Sequence, residues 1–113
     1  MGFIKHDAIV VTCFIRRDIL AAAEAAEEFG LTITPLVFTM NDYGSFLIAP
    51  DGSKEGWDDS DLGDARREKW KNWARESLAR GVFLDWVHIS YPGDPGSRTE
   101  VVDDANAELE GRS

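Results

Sequence analysis

The order in which the hydrophobic period changes along the chain most constrains its fold. Residues 8–14 are apolar at almost every position, which is typical of a strand that is central in a sheet or covered on both faces. Residues 18–30 change to helical spacing, with small alanines on one side and glutamates on the other. Gly30 ends this pattern, so we predict one strand followed by one helix.

The rest of the pattern predicts two strands, a helix and a fourth strand. Residues 32–40 and 45–49 have strand patterns, and a turn-forming tetrapeptide separates them. The second helix is predicted to begin near Ser60, to carry an apolar stripe and to end at Gly81. Residues 82–91 form the fourth predicted strand, and a segment rich in proline and glycine follows it.

This order, β-α-β-β-α-β in about 90 residues, is typical of a ferredoxin-like α+β sandwich. We therefore expect one domain at residues 1–92, with an antiparallel four-stranded sheet in the order 4-1-3-2 and both helices on one face. Pro35 cannot donate a ladder hydrogen bond, so we expect the second strand at an edge. Residues 93–113 are polar and acidic, and we expect a C-terminal tail that is partly ordered at most. The fold hosts many unrelated functions and names none of them.

The charge of the chain excludes several classes of partner. Its 12 basic and 21 acidic residues give a formal net charge of −9. Such a chain repels the phosphates of nucleic acids and anionic lipids, so we expect no nucleic-acid partner and no membrane partner. No apolar run approaches the ~18 residues that cross a bilayer, and no secretory hydrophobic segment is present, so we expect a cytoplasmic location. Cys13, the single cysteine, is expected to be buried and unreactive.

The predicted helices also predict the core. The apolar stripe of the second helix contains Trp70 and Trp73, and Phe29 lies on the stripe of the first. We expect Trp73 and Phe29 to be among the most buried side chains. The basic residues of the second helix are expected to face solvent; they are Arg66, Arg67, Lys69, Lys71, Arg75 and Arg80.

Alternation in the fourth strand predicts an apolar open face. Trp86 and His88 share one parity, whereas Val87 and Ile89 share the other and form the expected core pair. Trp86 would then lie on the sheet face away from the helices, where so much apolar surface needs a cover. The cover is the loop that carries Trp57, the C-terminal tail or a second subunit. The residues expected at this interface are Trp86, His88, Val10, Thr12 and Trp57.

A second hypothesis is a small-ligand or phosphoester-handling domain. The first and fourth predicted strands are neighbours, which would bring His6 close to His88. His88-Ile89-Ser90 is similar to the His-x-Ser/Thr element of two-histidine phosphoesterases, but the triplet His6-Asp7-Ala8 lacks the hydroxyl. A candidate anion site combines His6 with two arginines at the start of the first helix, Arg16 and Arg17.

Residues 58–64 form an acidic cluster that invites a calcium interpretation. The cluster fails the EF-hand pattern, because Leu62 and Lys69 fall at ligand positions. The positive end of the helix dipole explains the same acids. We predict no metal, no cofactor and no catalytic residue. A third hypothesis, an acidic mimic of nucleic acid, rests on the net charge alone.

Residues 45–61 and 84–91 resemble small proteins encoded by actinobacterial phages, and the similarity covers residues 45–94. The resemblance implies a phage accessory protein that acts in a bacterial cytoplasm, and it assigns no activity and no functional residue. Together with the predicted open face, it favours a non-enzymatic acidic interaction protein that forms a homodimer or binds a host protein.

Overall fold

The structure, a computed structural model, describes residues 5–52, 58–92 and 98–105. Within these ranges the protein is α+β, with two helices and one antiparallel sheet of five strands. A short 3-10 helix, Met40–Asp42, joins two of the strands. The helices are α1 (Arg16–Glu28) and α2 (Asp58–Ala79); the strands are β1 (Lys5–Cys13), β2 (Val37–Phe38), β3 (Gly44–Ile48), β4 (Asp85–Pro92) and β5 (Glu100–Asp104).

The strand order across the sheet is β2-β3-β1-β4-β5. Central β1 pairs with β3 on one side and with β4 on the other, and β2 lies at an edge, as Pro35 predicts. The prediction of a four-stranded sheet is wrong, because β5 pairs with β4. Part of the predicted acidic tail therefore forms an edge strand, in which Val101 and Val102 are β-branched and Asp103 binds cations of α2.

Strand register separates the two faces of the sheet. Val11 is the Cα partner of both Phe46 and Trp86, and all three are buried. Because partners across neighbouring strands point to the same side, these residues share the face on which the helices pack. Val10, of the opposite parity, is 39% exposed and lies on the other face. We call that other side the open face.

Trp70 joins both helices to the sheet. Its side chain is fully buried, and its indole N–H donates to the carbonyl of Ala22 in α1 at 3.0 Å. Its ring meets that of Trp86 edge to face, with centroids 5.9 Å apart. Both helices therefore pack on the same face of the sheet. The buried stripe of α2 recurs at intervals of three and four residues: Gly63, Arg67, Trp70, Ala74 and Ser77.

The prediction that Trp73 and Phe29 are among the most buried side chains is wrong, because both are only half-buried. Trp70 and Trp73 are only three residues apart, so periodicity alone does not say which one is more buried. Trp70 is the one that contacts the alanine-rich α1, where its indole donates to the carbonyl of Ala22. The prediction of a solvated basic face is also wrong for Arg67 and Lys71, which are 4% and 3% exposed.

We expect Trp70→Ala to lower the free energy of unfolding by about 3–5 kcal/mol, because it removes the largest buried ring and its hydrogen bond. Trp70→Phe, which keeps a ring, should lose about 1–2 kcal/mol. Trp73→Ala is the control, and its loss should be smaller than that of Trp70→Ala. Urea denaturation measures all three. Equal losses for the two alanine variants would contradict this phasing of α2.

Candidate functional site

The open face is lined by aliphatic side chains that neither helix covers. Val10 of β1 is paired with Leu47 of β3 and with Val87 of β4, so the three form one row across the sheet. Val37 and Val101 extend the apolar surface toward the two edges, where they are 59% and 64% exposed. The described part of this face thus has an aliphatic strip at its centre, beside which Thr12 and Ser45 hydrogen-bond to each other.

Aromatic rings border the strip at both ends of the strands. The rings of His6 and Tyr91, which are cross-strand partners on the open face, lie 5.0 Å apart. At the other end the rings of Phe14 and Tyr43 lie 6.1 Å apart, next to the end of β1 and the start of β3. Phe14 is 57% exposed. Sequence reasoning assigned His6 to an anion site and missed Tyr91, Phe14 and Tyr43, because it gave the aromatic role to Trp86.

Charge on the described open face is confined to one corner. Thr12 is the Cα partner of Asp85, and Val87 is the partner of Asp104. The two carboxylates line a shallow depression of about 220 Å³ at this corner. A surface that is apolar at its centre and charged only at its rim has the composition of a protein–protein interface.

The structure divides the predicted interface residues between two faces. Val10 and Thr12 lie on the open face. The placement of Trp86 and His88 there is wrong, because both are buried on the helix-facing side, where Trp86 contacts Trp70 and His88 contacts Lys71. Trp57 lies outside the described residues.

The two histidines lie on opposite faces of the sheet. His6 is the partner of Tyr91 on the open face, whereas His88 is the partner of Ile9 on the helix-facing side. The expectation that the two imidazoles lie close together is therefore wrong. The two residues are on neighbouring strands, but their positions differ in parity, so their side chains point to opposite sides of the sheet.

The predicted anion site is not assembled either. His6 lies near the start of β1, whereas both arginines follow its end, about 25 Å away at the usual rise per residue. Arg16 stacks over the ring of Phe38, with its guanidinium carbon 4.3 Å from the centroid. Arg17 is exposed and pairs with the adjacent Asp18.

A cluster of charges around two buried cations, Arg67 and Lys71, connects α2 to the sheet. The Lys71 ammonium lies 3.0 Å from the Glu68 carboxylate and 3.5 Å from that of Asp103 in β5. Arg75 also pairs with Asp103, and its guanidinium lies 5.3 Å from the centre of the Trp86 ring. One turn earlier, Arg67 pairs with three carboxylates, those of Asp7, Asp51 and Asp64.

The hydrogen bonds of His88 set its tautomer. Lys71 donates to Nδ1 at 3.0 Å, and because an ammonium only donates, Nδ1 must accept. The ring proton therefore resides on Nε2, which donates to the Asp7 carboxylate at 3.0 Å. With both nitrogens occupied and only 7% of the residue exposed, His88 orders the interior and has no free nitrogen to act as a general base.

Two carboxylates of this cluster are held ionised. Burial raises the pKa of Asp7, but the hydrogen bond from His88 and the charge of Arg67 outweigh it, so the pKa lies below its usual value. Burial likewise raises the pKa of Asp103, and the hydrogen bond and charge of Arg75 reverse the shift. The cluster acts as an ionic tie between α2, β1 and β5.

The remaining groups of interest are the Cys13 thiol and the acidic side chains. Burial raises the pKa of the Cys13 thiol, and the nearby carboxylates of Asp18 and Asp85 raise it further, which disfavours a thiolate nucleophile. In residues 5–52, 58–92 and 98–105, no three His, Cys, Asp or Glu side chains are grouped to hold a metal ion.

Neither helix, over its described residues, is long and apolar enough to cross a membrane.

Comparison of the chain with protein-family models, with curated proteins and with solved structures gives no match. The geometry of the open face and of the ionic tie is thus the basis for any functional conclusion.

We expect Asp103→Asn to lower the free energy of unfolding at pH 7 by about 2 kcal/mol, because the buried Lys71 and the half-buried Arg75 lose an ionised partner. A lowered native pKa stabilises the fold above the unfolded value of about 3.9, and this stabilisation is lost as pH falls through the native pKa. The deficit of the variant should therefore shrink below about pH 4. Urea denaturation at pH 7 and pH 3 measures it.

The control is Asp42→Asn, which changes an exposed loop aspartate at positive φ, a conformation that asparagine tolerates. Its stability should match that of the wild type at both pH values. A deficit in Asp103→Asn that persists undiminished at pH 3 would show that lost packing is responsible and not the lost charge.

Proposed function

We propose that this chain is a non-enzymatic interaction protein that associates with a second copy of itself through the open face. The observation that carries the proposal is the aliphatic strip centred on Val10, which stays exposed on the side of the sheet away from both helices. Exposed apolar patches of this kind mark interaction sites. We also propose that the sheet is that of a ferredoxin-like sandwich extended by β5.

The size of the open face supports a dimer of modest affinity. At the usual strand spacing and rise, β3, β1, β4 and β5 span about 20 Å by 25 Å, or about 500 Å² of planar area. Pleating makes the accessible area larger, and the rings of Phe14 and Tyr43 add to it. Stable complexes bury about 800 Å² on each partner, so two copies of this face approach the standard size. Symmetric dimers also need a self-complementary patch, which an uncharged strip supplies.

The resemblance of residues 45–94 to phage-encoded proteins leads us to propose an accessory role in a bacterial cytoplasm. His6 and His88 lie on opposite faces of the sheet and the two arginines follow the far end of β1, which supports a binding role over the phosphoester hypothesis. The acidic-mimic hypothesis gains nothing from the open face, because its acids are confined to one corner. A host protein is the alternative occupant of the same surface.

We expect the wild type to sediment as a dimer and Val10→Glu as a monomer. Val10 is 39% exposed, so a carboxylate there reaches water in the monomer but would be desolvated at a dimer interface. The matched control is Leu62→Glu, which adds the same charge at a 48% exposed position on α2. This control should remain a dimer. Sedimentation velocity and a thermal melt of each variant make the comparison.

Two outcomes would contradict self-association through this face. One is a wild type that remains monomeric at all protein concentrations, which would leave the face to a different protein. The other is a folded Val10→Glu variant that still dimerises, which would place the interface elsewhere.

Salt should strengthen this dimer. Each copy carries a net charge of −9, so two copies repel one another, while the contact itself is apolar. We expect the dissociation constant to fall when sodium chloride is raised from about 50 mM to 500 mM, since screening shortens the range of the repulsion from about 14 Å to 4 Å. Sedimentation equilibrium measures it. A dimer that weakens with salt would indicate a charge-paired interface.

A further inference from the structure

The charges at the C-terminal end of α1 oppose the dipole of the helix. Arg16 and Arg17 occupy the first turn, whereas Glu27 and Glu28 occupy the last turn, which has no basic residue. The backbone dipole favours acids at a helix N-terminus and bases at its C-terminus. Asp18 in the first turn suits the dipole and pairs with Arg17, whereas Glu27 and Glu28 make the C-terminal end of α1 unfavourable. At its start α2 has the usual arrangement, with aspartates concentrated there.

The glutamates of α1 also repel one another. Glu24 is three residues from Glu27 and four from Glu28, and like charges at these spacings destabilise a helix. Over the described part of the chain, none of the three forms an ion pair with a lysine or arginine. These side chains therefore do not stabilise the free protein, and such violations of local rules concentrate at functional sites.

Two of the three glutamates border a shallow groove that has both apolar and polar lining. A depression of about 660 Å³ lies between α1 and residues 33–36, with Glu24 and Glu27 on its α1 side. Leu20 in this lining is 46% exposed, although it follows the fully buried Ile19. The remaining lining is mostly apolar: Ala23, Ile33, Thr34, Pro35 and Leu36.

The opposite wall of the groove is an interrupted strand edge. Ile33 forms an isolated bridge with Ile48, and regular pairing resumes only at Val37. Pro35 has no N–H, and β2 is only two residues long. The edge is therefore a poor template for an added strand, so side chains must supply the recognition here.

We infer that this groove binds a segment of a partner protein in which leucine-like side chains alternate with lysine or arginine. Apolar side chains would pack on Leu20, Ile33 and Leu36, and the cations would pair with Glu24 and Glu27. The partner's cations would also offset the unfavourable charge–dipole arrangement of α1. The site lies beside α1, on the helix side of the sheet, so the inference is independent of the open-face dimer.

The test uses the full chain and a labelled synthetic peptide of alternating leucine and lysine. Its leucine–glutamate analogue is the charge control. Glu27→Gln and Glu28→Gln form a matched pair, since both remove one charge from the last turn of α1 but only Glu27 lines the groove. We expect Glu27→Gln and Leu20→Asn each to weaken peptide binding about fivefold, and Glu28→Gln by less than about twofold. Fluorescence anisotropy at low salt measures the affinities.

Three results would overturn the inference. They are equal losses for Glu27→Gln and Glu28→Gln, which would indicate attraction to net charge alone; equal binding of the leucine–glutamate peptide; and no saturable binding of the leucine–lysine peptide up to about 1 mM. Both glutamine variants should melt slightly above the wild type, which separates a binding loss from unfolding. Sedimentation of the same variants should be unchanged, so a failure here is distinct from a failure of the dimer.

Discussion

The rest of the structure depends on a lysine ammonium buried between α2 and the sheet. Removing a charge from water is costly, and a site such as that of Lys71 persists only when its neighbours supply hydrogen bonds and opposite charge. Those neighbours come from three elements: Glu68 from its own helix, His88 from β4 and Asp103 from β5. Their positions must agree to within hydrogen-bond distances. The ammonium therefore restricts the position of α2 relative to the strands to a smaller range than apolar packing alone would.

This constraint explains why β5 belongs to the sheet. Its valines are 64% and 50% exposed, so apolar burial contributes little to its attachment. Asp103 instead joins it to two cations of α2, and the backbone N–H of Ala105 donates to the carbonyl of Trp86. Buried ion pairs add less to stability than to the choice of one arrangement over another. In this protein the ion pairs of Asp103 favour the arrangement in which β5 is an additional edge strand beside β4.

Much of the architecture could be predicted because it follows from periodicity, whereas the faces of β4 could not. Trp86, His88 and Ser90 share one face of β4, and Val87, Ile89 and Tyr91 share the other. Hydropathy favours the second set as the core. The fold buries the first set, because Lys71 and Asp7 partner the imidazole. The sequence did contain a sign that this face of α2 buries charge. Arg67 lies seven residues before Ala74, so it belongs to the same stripe as Trp70, Ala74 and Ser77. A cation on an apolar stripe predicts buried carboxylates opposite it.

The candidate surfaces were hard to predict for the same reason. Polar groups are usually outside and aliphatic groups inside, and a departure from this rule is more informative than agreement with it. Here β4 buries a histidine and a serine on the helix-facing side, which leaves its valine, isoleucine and tyrosine for the far side of the sheet. The parity of β4 therefore has two consequences: it places His88 in the ionic tie, and it places Val87 and Ile89 on the open face. Shifting β4 by one residue would turn Val87 and Ile89 toward the helices and remove His88 from Lys71, so these two side chains stay on the open face as long as the ionic tie exists.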